Sequence, residues 1–143
     1  MKVREAMSRD VRIANPTETI EEAARTMVAQ DLGSLPVGEG DRLVGMVTDR
    51  DIVVRAVATG RGPGTKVRDV MSDHVKYCFE DEELEDISRN MGDIQVRRLP
   101  VLSRDKRLVG ILSLGDLAVN APQAAGRALG GVSRPAGAHN QRA

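Results

Sequence analysis

The sequence predicts a mixed α/β (α+β) fold, two β-α-β-β-α repeats packed about a pseudo-two-fold axis, and three observations lead there. Val3-Arg4-Glu5-Ala6-Met7-Ser8 returns 64 residues on as Val67-Arg68-Asp69-Val70-Met71-Ser72. Each copy then shows an amphipathic helical stripe followed by short apolar runs with turn residues between them. Between the copies lies Gly60-Arg61-Gly62-Pro63-Gly64, where Gly and Pro cluster as they do in linkers.

In the first copy, Val11-Arg12-Ile13 reads as a short strand. Ile20, Ala23, Ala24, Met27 and Val28 then recur at helical spacing, with Thr19 and Glu22 placed to form a capping box. Leu35-Pro36-Val37 and Leu43 to Thr48 read as strands joined by the hairpin Gly38-Glu39-Gly40-Asp41. A second helix starts near Asp49, sets Ile52, Val53, Ala56 and Val57 on one side, and stops at Gly60. The second copy repeats the pattern: Leu84, Ile87 and Met91 form the stripe, whose end Gly92 weakens, and Leu99-Pro100-Val101 and Arg107-Leu108-Val109-Gly110 follow. The expected organisation is repeat 1 over residues 1–60, a linker at 61–66, repeat 2 over 67–121 and a C-terminal extension at 122–143. Pro122 to Leu129 reads as a short helix with Pro in its first turn, and Gly130 to Ala143 as a flexible tail. A unit of about 60 residues has a marginal core alone, so two copies are expected to pack together.

Composition narrows the function. Of 143 residues, 41% are hydrophobic but only 1% aromatic, so the core is aliphatic and there is no stacking platform for single-stranded nucleic acid. Lys and Arg (21) balance Asp and Glu (21), which removes the electrostatic footprint of a duplex binder; nucleic acid is not an expected partner. Cys78 is the only cysteine and His74 and His139 the only histidines, so neither a disulfide nor a metal cluster of recognisable spacing is expected. With no apolar leader at Met1-Lys2-Val3-Arg4-Glu5 and no run long enough for a membrane span, the expected location is cytoplasmic, with no membrane partner.

The motif that carries chemistry is Gly45-Met46-Val47-Thr48-Asp49-Arg50-Asp51, mirrored by Gly110-Ile111-Leu112-Ser113-Leu114-Gly115-Asp116. Each places a hydroxyl at a strand's end and a carboxylate in the first turn of the following helix. The carboxylate oxygens are spaced to accept hydrogen bonds from both hydroxyls of a ribose cis-diol. The alternative is that these residues only cap and charge-complement a helix, and recurrence in both copies weighs against it.

Paired units opening Val-Arg-Asp-Val-Met, with a central Leu-Pro-Val and a closing Gly-hydrophobic-hydrophobic-Thr/Ser-x-x-Asp, resemble the cystathionine β-synthase (CBS) domain, two of which form a Bateman module. The resemblance covers about residues 3–120. It implies tandem CBS domains that bind adenosine-containing ligands, AMP or ATP first, NAD or S-adenosylmethionine as further candidates, and that often dimerise. It also implies two clefts. One combines Met46, Thr48, Arg50 and Asp51 with Val75, Lys76, Val96, Arg98 and Pro100; the other combines Ile111, Ser113 and Asp116 with Arg12, Ile13, Leu32, Ser34 and Pro36. Arg50, Lys76 and Arg98 favour phosphate in the first, while Arg12 is the evident cation of the second.

Other candidates are set aside. Gly60 to Lys66 lacks the closing Gly-Lys-Ser/Thr of a phosphate loop, and the acidic run Glu80 to Asp86 lacks calcium-loop spacing and suits a helix start instead. Cys78 lies on an expected strand with no basic neighbour in sequence, as a small core residue does. No nucleophile is paired with a base, so no enzyme is expected and no cofactor is required. The reading is a non-catalytic regulatory module that binds adenine nucleotide, forms a homodimer and signals to a downstream protein; the alternative is a structural dimerisation module with vestigial clefts.

Overall fold

The computed structural model describes residues 1–135. In chain order its elements are α1 (Val3–Ala6), α2 (Ile20–Gln30), β1 (Ser34–Glu39), β2 (Arg42–Thr48), α3 (Asp49–Arg55), 3-10 turns at Val57–Thr59 and Val67–Asp69, β3 (Cys78–Phe79), α4 (Leu84–Ile94), β4 (Arg98–Leu102), β5 (Leu108–Ser113), α5 (Leu114–Asn120) and α6 (Pro122–Val132). The chain forms two compact units, Arg12–Val75 and Met1–Val11 with the described residues from Lys76 onward.

These units are offset from the sequence repeats. The opening segment of repeat 2, Val67 to Ser72, packs with the body of repeat 1: Val67 and Val70 are fully buried beside Ile20, Leu35 and Val47. Conversely Val3, Ala6 and Met7 join the core around Leu84, Leu99 and Leu112. Burying a valine contributes about 1.5–3 kcal/mol, so each opening segment is a sizeable part of the core it enters. The repeated motif reports this contact. A Cβ on Gly45 would stand 2.7 Å from the sulfur of Met71 and 2.8 Å from the Ser72 carbonyl, and one on Gly110 would stand 2.5 Å from the sulfur of Met7. The glycine of each Leu-Val-Gly and the methionine of each opening motif are thus two halves of one close approach.

Within the Arg12–Val75 unit, β1 and β2 form an antiparallel hairpin that pairs Ser34 with Thr48 and Pro36 with Met46. The expected strand Val11-Arg12-Ile13 does not form; Ala14 alone bridges to Val37 in parallel. Ala14 N–H donates to the Pro36 carbonyl and Gly38 N–H to the Ala14 carbonyl, both at 2.9 Å. Extending this ladder toward Arg12 requires an N–H from Pro36, which proline lacks. The second copy obeys the same limit at Pro100: β3 pairs Cys78 with Val101 and Phe79 with Leu102, so Val75 and Lys76 precede the strand.

The linker has structural work as well. Ile20 N–H donates to the Thr65 carbonyl at 2.8 Å and Glu21 N–H to the Pro63 carbonyl at 3.3 Å, while Glu22 N–H donates to Thr19 Oγ1 at 3.2 Å. Three donors of the first turn of α2, which the helix cannot satisfy itself, are so paired. Gly60, at φ 80°, ends the turn after α3 in the left-handed region where glycine is least strained. Of the expected apolar side of that helix, Ala56 is fully buried and Ile52 half-buried, whereas Val53 and Val57 are exposed.

The C-terminal helix begins at Pro122 as expected but runs past Leu129 to Val132, so Gly130 to Val132 are helical rather than a tail. It packs on α4, burying Ala124 and Ala128. Gly92, expected to weaken α4, is where the helices meet: a Cβ on Gly131 would lie 2.6 Å from Gly92 Cα. The rest of the expected tail, residues 136–143, lies outside the described residues. No described helix is long and apolar enough to cross a membrane.

Candidate functional site

In the Arg12–Val75 unit the hairpin delivers Thr48 to the end of β2, where it becomes the N-cap of α3. Asp51 N–H donates to Thr48 Oγ1 at 3.0 Å, and Thr48 N–H donates to Asp51 Oδ2 at 2.9 Å, a reciprocal capping box. Asp51 Oδ1 stands 3.9 Å from Arg55 Nε, and the Asp51 side chain is 19% exposed. Arg55 in turn donates from Nη1 to the carbonyls of Val70 at 3.3 Å and Met71 at 3.2 Å. Just upstream, Met46 and Ser72 exchange backbone hydrogen bonds at 2.9 and 2.8 Å, which holds the strand that carries the cap.

The other unit reproduces the arrangement. Asp116 N–H donates to Ser113 Oγ at 3.2 Å and Ser113 N–H to Asp116 Oδ2 at 2.9 Å, at the start of α5. Ile111 and Ser8 exchange backbone bonds, both 2.9 Å, as Met46 and Ser72 do. Arg98 pairs with Ser113 and Pro100 with Ile111 across β4 and β5.

Each hydroxyl and carboxylate is therefore both a cap and a half-exposed polar pair at a strand's end. A carboxylate has about four lone-pair sites, so a backbone bond to Oδ2 leaves acceptor capacity on both oxygens. Within one unit the structure brings Met46, Thr48 and Asp51 together with Ser34 and Pro36; within the other it brings Ile111, Ser113 and Asp116 together with Arg98 and Pro100. Arg50, Lys76, Arg98, Arg12 and Ile13 are exposed, and Leu32, Val75 and Val96 are half-buried, Leu32 and Val96 against their units' cores. Asp49 and Leu114 lie within the two motifs but were assigned no contact with the preceding strand. Asp49 N–H donates to the Gly33 carbonyl at 2.9 Å, and Leu114 N–H to that of Arg97 at 3.0 Å, so each ties the helix start back to the strand before it. Their signal was positional: both directly follow the cap hydroxyl.

The Glu80 to Asp86 run serves local structure. Glu82 accepts from Phe79 N–H at 2.8 Å, Glu83 meets Lys2 Nζ at 2.7 Å, and Glu85 and Asp86 lie in the first turn of α4. Arg104 holds Asp81 through Nε bonds of 3.0 and 2.9 Å, and that contact lowers the Asp81 pKa. Cys78 is buried, and desolvation pushes its thiol up to about 12.

A model of the CBS domain matches residues 3–57 and 67–120. The chain belongs to the CBS domain family. It is 43% identical over 133 residues to the CBS domain-containing protein YhcV of Bacillus subtilis, covering 92% of this chain and 94% of that one. It is 38% identical over 122 residues to hypoxic response protein 1 of Mycobacterium tuberculosis, covering 84% and 85% of the two chains. The crystal structure of Hypoxic Response Protein I with two coordinated zinc ions superposes with a TM-score of 0.74 at 36% identity, covering 84% of this chain and 98% of that one. The CBS domain pair of protein MJ0100, in complex with 5′-methylthioadenosine and S-adenosyl-L-methionine, superposes at 0.73 with 25% identity, covering 86% and 97%. The mixed α and β architecture of this CBS protein is thus that of tandem CBS domain proteins. Among the described residues there is no group of three or more His, Cys, Asp or Glu that could hold a metal ion.

Proposed function

We propose that this CBS pair is a non-catalytic regulatory module that binds an adenosine-containing ligand, of the AMP or ATP class, through the caps Thr48 with Asp51 and Ser113 with Asp116. The observation that carries the reading is the recurrence, in both units, of a hydroxyl and a carboxylate held in one geometry at a strand's end. Such a preorganised carboxylate accepts a ribose diol without first being ordered. The clefts implied by the resemblance, with Val75, Lys76, Val96, Arg98 and Pro100, and with Arg12, Ile13, Leu32, Ser34 and Pro36, belong to this proposal. So do a cytoplasmic location, a homodimer and a downstream protein partner. The adenosine ligands of the MJ0100 pair support the ligand class.

One observation favours a second reading, a structural module with vestigial clefts: the caps are complete without a ligand. Melting the protein with AMP, ADP, ATP, NAD and S-adenosylmethionine separates the two. A ligand of the native state at a hundredfold its Kd adds about 2.7 kcal/mol and raises Tm by several degrees. No shift with any of the five at millimolar concentration overturns the sensor reading.

A further inference from the structure

The two caps differ one turn further along their helices. Arg55 ends α3 four residues after Asp51, on the same face, with Nε 3.9 Å from Asp51 Oδ1. Its counterpart in α5 is Asn120, four residues after Asp116, whose Nδ2 donates to the backbone carbonyl of Asp116 at 2.8 Å. Asn120 thus turns back on its own helix, whereas Arg55 reaches out of α3. Its Nη1 donates to the carbonyls of Val70 at 3.3 Å and Met71 at 3.2 Å.

Those carbonyls belong to the opening segment of the second repeat. Met71 N–H donates to the Val67 carbonyl at 2.9 Å, and Ser72 exchanges backbone bonds with Met46, on the strand that ends at Thr48. The segment therefore meets the first cap twice, through that strand and through Arg55. A guanidinium is planar and carries its five N–H donors in a fixed fork, so one end does not turn without the other. The Nη1 end is held by two carbonyls, which carry no formal charge, while the Nε edge faces a carboxylate at more than hydrogen-bond distance. Asp51 is so held at both oxygens, Oδ2 by the Thr48 N–H and Oδ1 by the charge of Arg55. A diol donating to Oδ1 takes up part of the charge that Arg55 faces, and the fork then settles on the carbonyls of Val70 and Met71. Ligand-bound and ligand-free states thus differ in a contact made by the segment, as coupling between two places requires.

We propose that Arg55 is a positioning residue of the first cap that couples occupancy of Asp51 to the opening segment Val67–Ser72, and that Asn120 leaves the second cap uncoupled. Resting on the ligand reading, this makes the first cap the responsive one. Hydrogen exchange of Met71 and Ser72 in the wild type, with and without AMP and with ATP as a second probe, reads the segment. Calorimetric titration of the same nucleotides into the Asp116→Ala chain, alone and with Arg55→Ala or Arg55→Lys, reads the first cap, circular dichroism verifying the fold. Arg55→Ala is expected to weaken binding about tenfold, and Arg55→Lys to recover little because one ammonium cannot serve both ends. Nucleotide is expected to slow exchange at Met71 and Ser72 several-fold in the wild type but not in Arg55→Ala. Asn120→Ala in the Asp51→Ala chain is expected to leave the affinity of the second cap as it was. First-cap affinity that Arg55→Ala leaves unchanged overturns the coupling and leaves the ligand reading standing. So does nucleotide that binds the wild type without slowing exchange at Met71 and Ser72, a result that needs no variant. A wild type that binds neither AMP nor ATP at millimolar concentration overturns both.

Discussion

Thr48 and Asp51 each hydrogen-bond the other's backbone N–H through a side chain, at 3.0 and 2.9 Å, so one carboxylate both starts α3 and faces the proposed ligand. Asp51→Ala and Thr48→Ala are each expected to cost about 0.5–2 kcal/mol of stability through the lost cap. Asp51→Asn keeps a carbonyl oxygen for the Thr48 N–H and costs less. Urea unfolding of the three variants measures the order; equal loss for Asn and Ala would show that the carboxylate's charge, rather than its acceptor, supports the helix.

Gly45→Ala and Gly110→Ala press a methyl into the sulfurs of Met71 and Met7 and the backbone carbonyls of Ser72 and Ser8. The sulfurs can swing aside, but the carbonyls belong to the bridges that hold each strand. Each substitution is expected to cost about 1–3 kcal/mol. Gly62→Ala meets nothing within 4 Å and changes stability little. Thermal melts of the three compare them directly.

In α6, Gly131→Ala drives a Cβ into the backbone of Gly92, whereas the Cβ of Gly126→Ala meets nothing within 4 Å. The first is expected to lower stability by about 1–3 kcal/mol and the second to raise it by about 0.5–1 kcal/mol through helix propensity. Opposite signs in one denaturation series establish that α6 docks as a helix on α4.

The repeat, both hairpins and the two caps were readable because residue type there reports local geometry: a hydroxyl three residues before a carboxylate caps a helix wherever it occurs. The dock of α6 was not. Ala124, Ala128 and Gly131 bring little hydrophobicity, so a stripe that packs by closeness of backbone gives no sign that the short helix from Pro122 docks or continues past Leu129, and Gly92 reads only as a weak end of α4. The exchange of opening segments was hidden for another reason. A repeat orders segments along the chain without saying which body Val67 or Val3 enters, although the methionine and glycine of the motifs were its two contacting parts. The absent strand at Arg12 was written in Pro36, whose missing N–H forbids the pairing.

Burial raises the Cys78 pKa to about 12, so its neutral thiol is favoured by folding. That contribution is fully present below the unfolded-state pKa of about 8.5 and is lost as pH rises toward 12. Stability is therefore expected to decline across that alkaline window, less so in Cys78→Ala. At pH 8 the native thiol should react with a disulfide reagent far more slowly than the urea-unfolded chain; equal rates would show that Cys78 is open to solvent.

The measurement that bears most directly on the ligand reading is calorimetric titration of AMP into the wild type, Asp51→Ala and Asp116→Ala, each first verified as folded. Removing hydrogen bonds to a charged acceptor, each about 1.5–3 kcal/mol, predicts a loss of affinity on the order of a hundredfold at the altered cap, with the other cap still binding. Wild-type binding that both variants retain unchanged would contradict the assignment of these carboxylates to the ribose and leave Thr48 with Asp51, and Ser113 with Asp116, as helix caps alone.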